Sequence, residues 1–163
     1  MIIPAHRLGD VRRRHAGETI VFANGIFDLF HLGHLLFLQQ ARRLGDVLVV
    51  NVLADKHAAH LKGVNRPIMN QRERVAFIDA LGLADYVVRS STSRETPFHP
   101  AQDIKRLKPD VFASRPDIFI PHTAAEYYNE IKRFSPKTRF VAIPETRSIS
   151  TSKIIARILK RER

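Results

Sequence analysis

Apolar residues fall along this chain in short dense blocks separated by longer, looser ones. The dense blocks are "ETIVFAN" (Glu18–Asn24), "DVLVVNVLA" (Asp46–Ala54), "ADYVVR" (Ala84–Arg89), "PDVFAS" (Pro109–Ser114) and "TRFVAIP" (Thr138–Pro144). Their near-continuous Val, Leu, Ile and Phe content is the pattern of strands covered on both faces. The looser blocks, Leu35–Leu44, Gln71–Leu81, Pro100–Leu107, Thr123–Phe134 and Ser150–Arg161, read as helices. Pro100 opens one of them where a missing N–H costs nothing. Gly45 follows another where a left-handed residue is favoured. Residues 55–70 contain Gly63 and Pro67 and read as irregular. Strands alternating with helices predict an α/β fold, a Rossmann-like, doubly wound, parallel five-stranded sheet with helices on both faces. Ligands of such sheets sit beyond the carboxyl ends of the strands, where strand order reverses.

The bulk properties narrow the class. A length of 163 residues, with no repeat or linker, predicts a single domain over residues 1–163, with 1–17 as an N-terminal extension. No apolar run is long enough to span a bilayer. The start, "MIIPAHRLGDVRRRH", lacks the apolar core and cleavage site of a secretory signal, so a cytoplasmic location is expected. Without cysteine the chain has neither disulfides nor thiolate-bound metal. The net charge of +11 fits nucleic acid, an anionic membrane surface or small phosphorylated ligands as partners. Part of it lies in Arg12–His15 and Lys160–Arg163, which read as solvated ends.

Two motifs should meet at the carboxyl edge of the sheet. The first, "NGIFDLFHLGH" (Asn24–His34), carries a strand through a glycine turn into a helix that opens with His31 and His34. One helical turn apart, these rings lie on the same side of the helix entrance. They could bind metal, bind phosphate or fill space. His57 and His60 repeat the spacing, so a four-histidine zinc site can be drawn. Phe27, Asp28 and Gly33 have no reason to recur in such a site, and His57 and His60 read as incidental. The second motif, "ISTSKII", puts Ser150, Thr151 and Ser152 at the entry of the last helix. An N-cap needs one hydroxyl. Three, followed by Lys153, suit phosphates at a helix N-terminus.

In these residues the chain resembles the cytidylyltransferase-like nucleotidyltransferases, whose pattern is a glycine, Phe-Asp and then His-x-Gly-His. "LKGVNRP" (Leu61–Pro67), Arg74 in "RERVAFIDAL", "ADYVV" and "SISTSKIIARI" follow in order over roughly residues 18 to 160. The resemblance is strongest to the nucleotidyltransferase domain of ADP-heptose synthase, then to glycerol-3-phosphate cytidylyltransferase. It implies transfer of a nucleotidyl group from a triphosphate to a phosphorylated sugar or alcohol, with release of pyrophosphate. The acceptor phosphate is itself the nucleophile, so positioning and charge neutralisation carry the chemistry. By resemblance, His31, His34, Lys62 and Arg74 are the catalytic set. Asn24, Gly25, Phe27, Gly33, Arg147, Ser150, Thr151 and Ser152 hold the nucleotide. Asp28, Asp55, Lys62 and Asp117 face the acceptor. Gly25 also lets backbone approach the triphosphate without a Cβ in the way. Mg²⁺ is expected to arrive on the nucleotide rather than on protein ligands. A homodimer is implied as well.

Three departures bear on the substrates. Ala23 stands where the family usually has threonine. Ser114-Arg115-Pro116-Asp117-Ile118 replaces the Lys-Gly-Gly-Asp-Tyr of the heptose enzymes, keeping the aspartate alone. Glu145, Thr146, Arg147 and Ser148 replace the Arg-Thr-x-Gly of the glycerol-phosphate enzymes. The first expectation is ATP with heptose 1-phosphate, giving ADP-heptose. CTP with glycerol 3-phosphate or another polyol phosphate is the alternative enzyme. A non-catalytic nucleic-acid-binding protein on the same fold is the alternative class. It would bind with steep salt dependence, but the chain lacks the aromatic-rich strand motifs that stack bases.

Overall fold

A computed structural model describes residues 1–90, 101–115, 128–129, 131–144 and 149–161. The strands are β1 (Ile2–Pro4), β2 (Ile20–Gly25), β3 (Val47–Val52), β4 (Tyr86–Arg89), β5 (Val111–Ser114) and β6 (Arg139–Ala142). The helices are α1 (Leu8–Arg14), α2 (Leu32–Arg42), α3 (Asp55–Lys62), α4 (Gln71–Ala80), α5 (Ala101–Leu107) and α6 (Thr151–Arg161). Residues 131–134 are also helical.

All strand pairs are parallel, in the order β1-β4-β3-β2-β5-β6. The doubly wound Rossmann-like class is as expected, with one correction: the sheet has six strands, not five. Residues 1–17, read as an extension, contribute β1 at the edge beside β4 and α1, whose Leu8 and Val11 are buried. A three-residue edge strand containing proline carries too little pattern to be read from sequence. A second correction concerns residues 55–70, where Asp55–Lys62 is helical; this helix buries Ala58 alone. Strand order reverses between β2 and β5, which makes the crevice beyond their carboxyl ends the switch point.

Strand alternation divides the core into two layers. Val21, Ala23, Leu48, Val50, Val52, Val111 and Ala113 pack under Phe37, Leu38 and Ala41 of α2 and Val75 and Ile78 of α4. Ile20, Phe22, Val47, Val49, Val88 and Phe112 pack under α1, α5 and Ile131. Aspartates pin the amino edge. Asp46, Asp85 and Asp110 accept from the N–H groups of Thr19, Leu48 and Ile20, respectively, each at 2.7–2.8 Å. The residue before one strand thus satisfies the first free amide of its neighbour. Gly45 is needed for a reason other than a left-handed cap: a Cβ there would lie 2.5 Å from the Thr19 carbonyl oxygen.

Arg74 anchors the opposite edge from α4. Its side chain is fully buried and donates to the carbonyls of Met69 (3.0 Å), Leu53 (2.8 Å) and Ile26 and to Asp55 Oδ1 (2.6 Å). One guanidinium therefore ties together the chain leaving β2, the chain leaving β3 and the entry to α4. That entry is closed by a capping box between Asn70 and Glu73. On the α5 side, Asn24, Asn51, Ser90 and Asp103 form a buried polar cluster above the apolar layer. Burial pushes the Asp103 carboxyl up to about 6, against the opposing pull of Arg106, Ser90 and Asn51.

Two stability measurements test these anchors. Arg74→Lys is expected to lower unfolding stability by about 2–4 kcal/mol in urea titration, because buried carbonyls lose their donors. The folded state holds Asp103 protonated to higher pH than the unfolded chain does, so wild-type stability falls as pH rises from about 4 through 6. Asp103→Asn is therefore expected to raise Tm at pH 8 and to change it little at pH 4.

Candidate functional site

The carboxyl end of β2 leads into residues 25–31, a loop in which two non-glycine residues adopt left-handed backbone, Phe27 (φ 57°) and Leu29 (φ 44°). Such conformations are rare outside glycine and persist where surrounding contacts over-determine them. Here those contacts are visible. The Phe27 ring folds over Gly25 so closely that a Cβ on Gly25 would lie 2.8 Å from it. Gly25 is thus demanded by packing within the loop, whatever else approaches its backbone.

Asp28 holds the loop to the rest of the edge. Its buried carboxylate accepts from the N–H groups of Ile68 (3.0 Å) and Met69 (3.0 Å) and pairs with Arg66 at 2.7 Å. Burial raises its pKa, but those amides and the guanidinium outweigh it and hold the carboxyl below its ordinary value. The Asp28 carbonyl also accepts from the Thr151 hydroxyl at 2.8 Å, so the loop meets the start of α6. Ile149 touches the same place: its carbonyl oxygen lies 3.5 Å from where a Gly33 Cβ would be. The N-termini of α2 and α6 therefore converge beside the switch point, and both ends carry positive potential.

His31 is the N-cap residue of α2, with extended backbone, and His34 sits in the first turn. Their rings stack, with centroids 3.8 Å apart and planes 17° from parallel. Phe27 and Phe30 pack on His34, each at 5.5 Å. Gly33 is constrained here too, since a Cβ would come within 3.0 Å of the His31 ring. The His34 Nδ1 atom is buried without a hydrogen-bond partner among the described residues. Desolvation, His31 and Arg115 lower the His34 pKa to about 3, with Asp28 opposing them. Unliganded His34 is neutral at physiological pH.

The predicted residues do not all fall in one place. His31, His34, Gly25, Phe27, Gly33, Asp28 and Thr151 come together at the convergence of the two helices. Ser150 caps α6, its hydroxyl accepting from Lys153 N–H at 3.3 Å, while Ser152 is exposed beside it. Arg74 and Asp55 lie behind the loop and bind each other. Asn24 is buried on the α5 side, accepting from Asn51 at 3.3 Å. Lys62 ends α3 and is exposed, one residue before Gly63, rather than in a loop. Arg147 and Asp117 lie outside the described residues. Sequence reasoning missed Arg66, the partner of Asp28; an arginine before proline in "VNRP" carries no periodic signal.

Among the described residues no cluster of three or more His, Cys, Asp or Glu side chains could hold a metal ion. Of the described carboxylates beside the loop, Asp28 is paired with Arg66 and Asp55 with Arg74. A separate open hollow of about 600 Å³ at the amino edge is lined by Arg12, Arg13, Glu18 and Asp110. Arg12 there donates to Asp110 and to the carbonyls of His15 and Glu18, an internal clasp. No helix of the described residues is long and apolar enough to cross a membrane.

Comparison with known proteins agrees with this geometry. Residues 22–157 match the cytidylyltransferase-like family model. The bifunctional protein HldE of Syntrophotalea carbinolica is 38% identical over 152 residues, covering 93% of this chain and 29% of that protein. HldE of Helicobacter pylori strain Shi470 is 36% identical over 160 residues, 96% of this chain and 31% of the relative. The chain thus spans about three tenths of the curated relatives it matches. A lipopolysaccharide core biosynthesis protein from Thermoplasma volcanium superposes with a TM-score of 0.65 at 27% identity, over 79% of this chain and 98% of that one. A pantoate-beta-alanine ligase from Francisella tularensis shares the fold, with a TM-score of 0.62 at 11% identity over 100% of this chain and 78% of that one. The chain belongs to the cytidylyltransferase-like family, as a nucleotidyltransferase-type domain.

Proposed function

We propose that this protein transfers a nucleotidyl group from a magnesium-bound nucleoside triphosphate to a phosphorylated sugar, with ATP and heptose 1-phosphate as the pair. The observation that carries this reading is the stacked histidine pair beneath two converging helix N-termini at the switch point. The similarity to HldE over 93% of the chain supports a sugar phosphate as acceptor. A phosphate oxygen of the acceptor attacks the α-phosphorus, the bond from that phosphorus to the bridging oxygen breaks, and pyrophosphate leaves with the electron pair.

In this reading the chain positions the reactants and stabilises charge. The first-turn amides of α2 and α6 face the phosphates, with Ser152 and the backbone of Gly25 beside them. His31 and His34 donate hydrogen bonds to the group in transfer, with charge development favouring them in the transition state. Lys62 reaches in from the end of α3. Arg74 is a positioning residue, because its donors already hold the loop carbonyls and Asp55. Magnesium is expected to arrive on the triphosphate, a reading supported by the pairing of Asp28 and Asp55 with arginines.

A panel of four triphosphates against heptose 1-phosphate, glycerol 3-phosphate and related acceptors, read by pyrophosphate release, tests the proposal. Turnover is expected with ATP and heptose 1-phosphate. Turnover confined to CTP and glycerol 3-phosphate would reassign the substrates, and silence of every pair would overturn the enzyme reading. His31→Ala and His34→Ala are each expected to lower kcat roughly 10²-fold or more without changing Tm by more than a few degrees.

A further inference from the structure

Arg115 is the first residue after β5, beside the gap where the sheet reverses. The chain is fixed up to that point: β5 registers Ala113 opposite Ala23 of β2, and the Ser114 carbonyl accepts from Ile143 N–H at 2.8 Å. Val111 and Ala113 face the α2 layer, whereas Phe112 faces the α5 layer. Alternation carries Arg115 to the α2 layer, the side on which the histidines stand. The Ser114 hydroxyl donates to the Arg115 carbonyl at 3.3 Å, and the residue is partly buried. Its charge is felt at His34, where it opposes protonation together with His31 and against Asp28.

A guanidinium on the same side of the sheet as a buried imidazole disfavours a second positive charge there. Asp28 offers little relief, because its carboxylate is already paired with Arg66. Two helix N-termini add to the same positive field. An anion entering the crevice would meet the positive field of these groups, and a guanidinium fork matches a phosphate in both charge and geometry. We propose that Arg115 is a phosphate-binding residue of this site, reaching the ligand from the end of β5 at the switch point. The source of that phosphate, triphosphate or acceptor, rests on the reading above; the binding itself does not. The substrate class it favours is one that presents a dianionic phosphate at the end of β5.

Titrations of wild type, Arg115→Met, Arg115→Gln and Arg115→Lys with inorganic phosphate and with magnesium ATP test this, followed through the ring resonances of His31 and His34. Met and Gln are expected to weaken at least one titration about tenfold or more, and Lys to stay within about threefold of wild type. Weakening confined to inorganic phosphate assigns Arg115 to the acceptor; weakening confined to ATP assigns it to the triphosphate. In the unliganded Met and Gln variants the His34 titration is expected to move upward, and in the Lys variant, which keeps the charge but changes the side chain, to stay where it is in wild type. Two neutral variants provide a result even where one fails to fold. Folded neutral variants that bind both ligands like wild type overturn the proposal, and so does wild-type protein that binds neither. If wild type binds phosphate but turns over no substrate pair, the functional reading fails and the role of Arg115 is still decided.

Discussion

The carboxylate of Asp28 accepts two backbone amides and a guanidinium, while the carbonyl of the same residue accepts a hydroxyl from α6. Three segments remote in sequence therefore meet at one residue: the loop after β2, the stretch from Arg66 to Met69, and the start of the last helix. Removing the side chain would leave an arginine and two amides without a partner in a buried place, a cost borne by everything the loop supports. The histidine pair, the folded Phe27 ring and the convergence of two helix ends all stand on that loop. Asp28 is the keystone of this edge.

Arg74 works from beneath in the same manner. It holds the carbonyls of Ile26 and Leu53, so the exits of two adjacent central strands are set by one side chain. Both residues are charged, buried and satisfied, which is the condition under which buried charge is tolerated. Together they allow a loop with two left-handed non-glycine residues to keep a single shape.

The central strands and the glycine turn were legible because their signals are local: dense apolar runs, and a glycine followed by Phe-Asp and paired histidines. The meeting of the two motifs followed from strand order in a doubly wound sheet. What escaped sequence reading depends on distant partners. Arg74 sits in "QRERVAF", where an arginine normally faces water, and its burial depends on three carbonyls from elsewhere. Helix α3 buries a lone alanine and therefore lacks a periodic stripe. The requirement for Gly45 came from the Thr19 carbonyl, a neighbour no propensity could supply. The three hydroxyls of "STS" looked alike in sequence, yet one caps its helix, one binds Asp28 and one remains exposed.

The bond from Thr151 to Asp28 joins residues 123 positions apart. Closing so long a loop carries an entropic cost that local contacts cannot offset early. During vectorial synthesis, the strand exits and the histidine-bearing helix emerge well before the segment that roofs them. A half-made chain thus has a floor without a ceiling, and the loop after β2 gains its last described tie only when the start of α6 has been made.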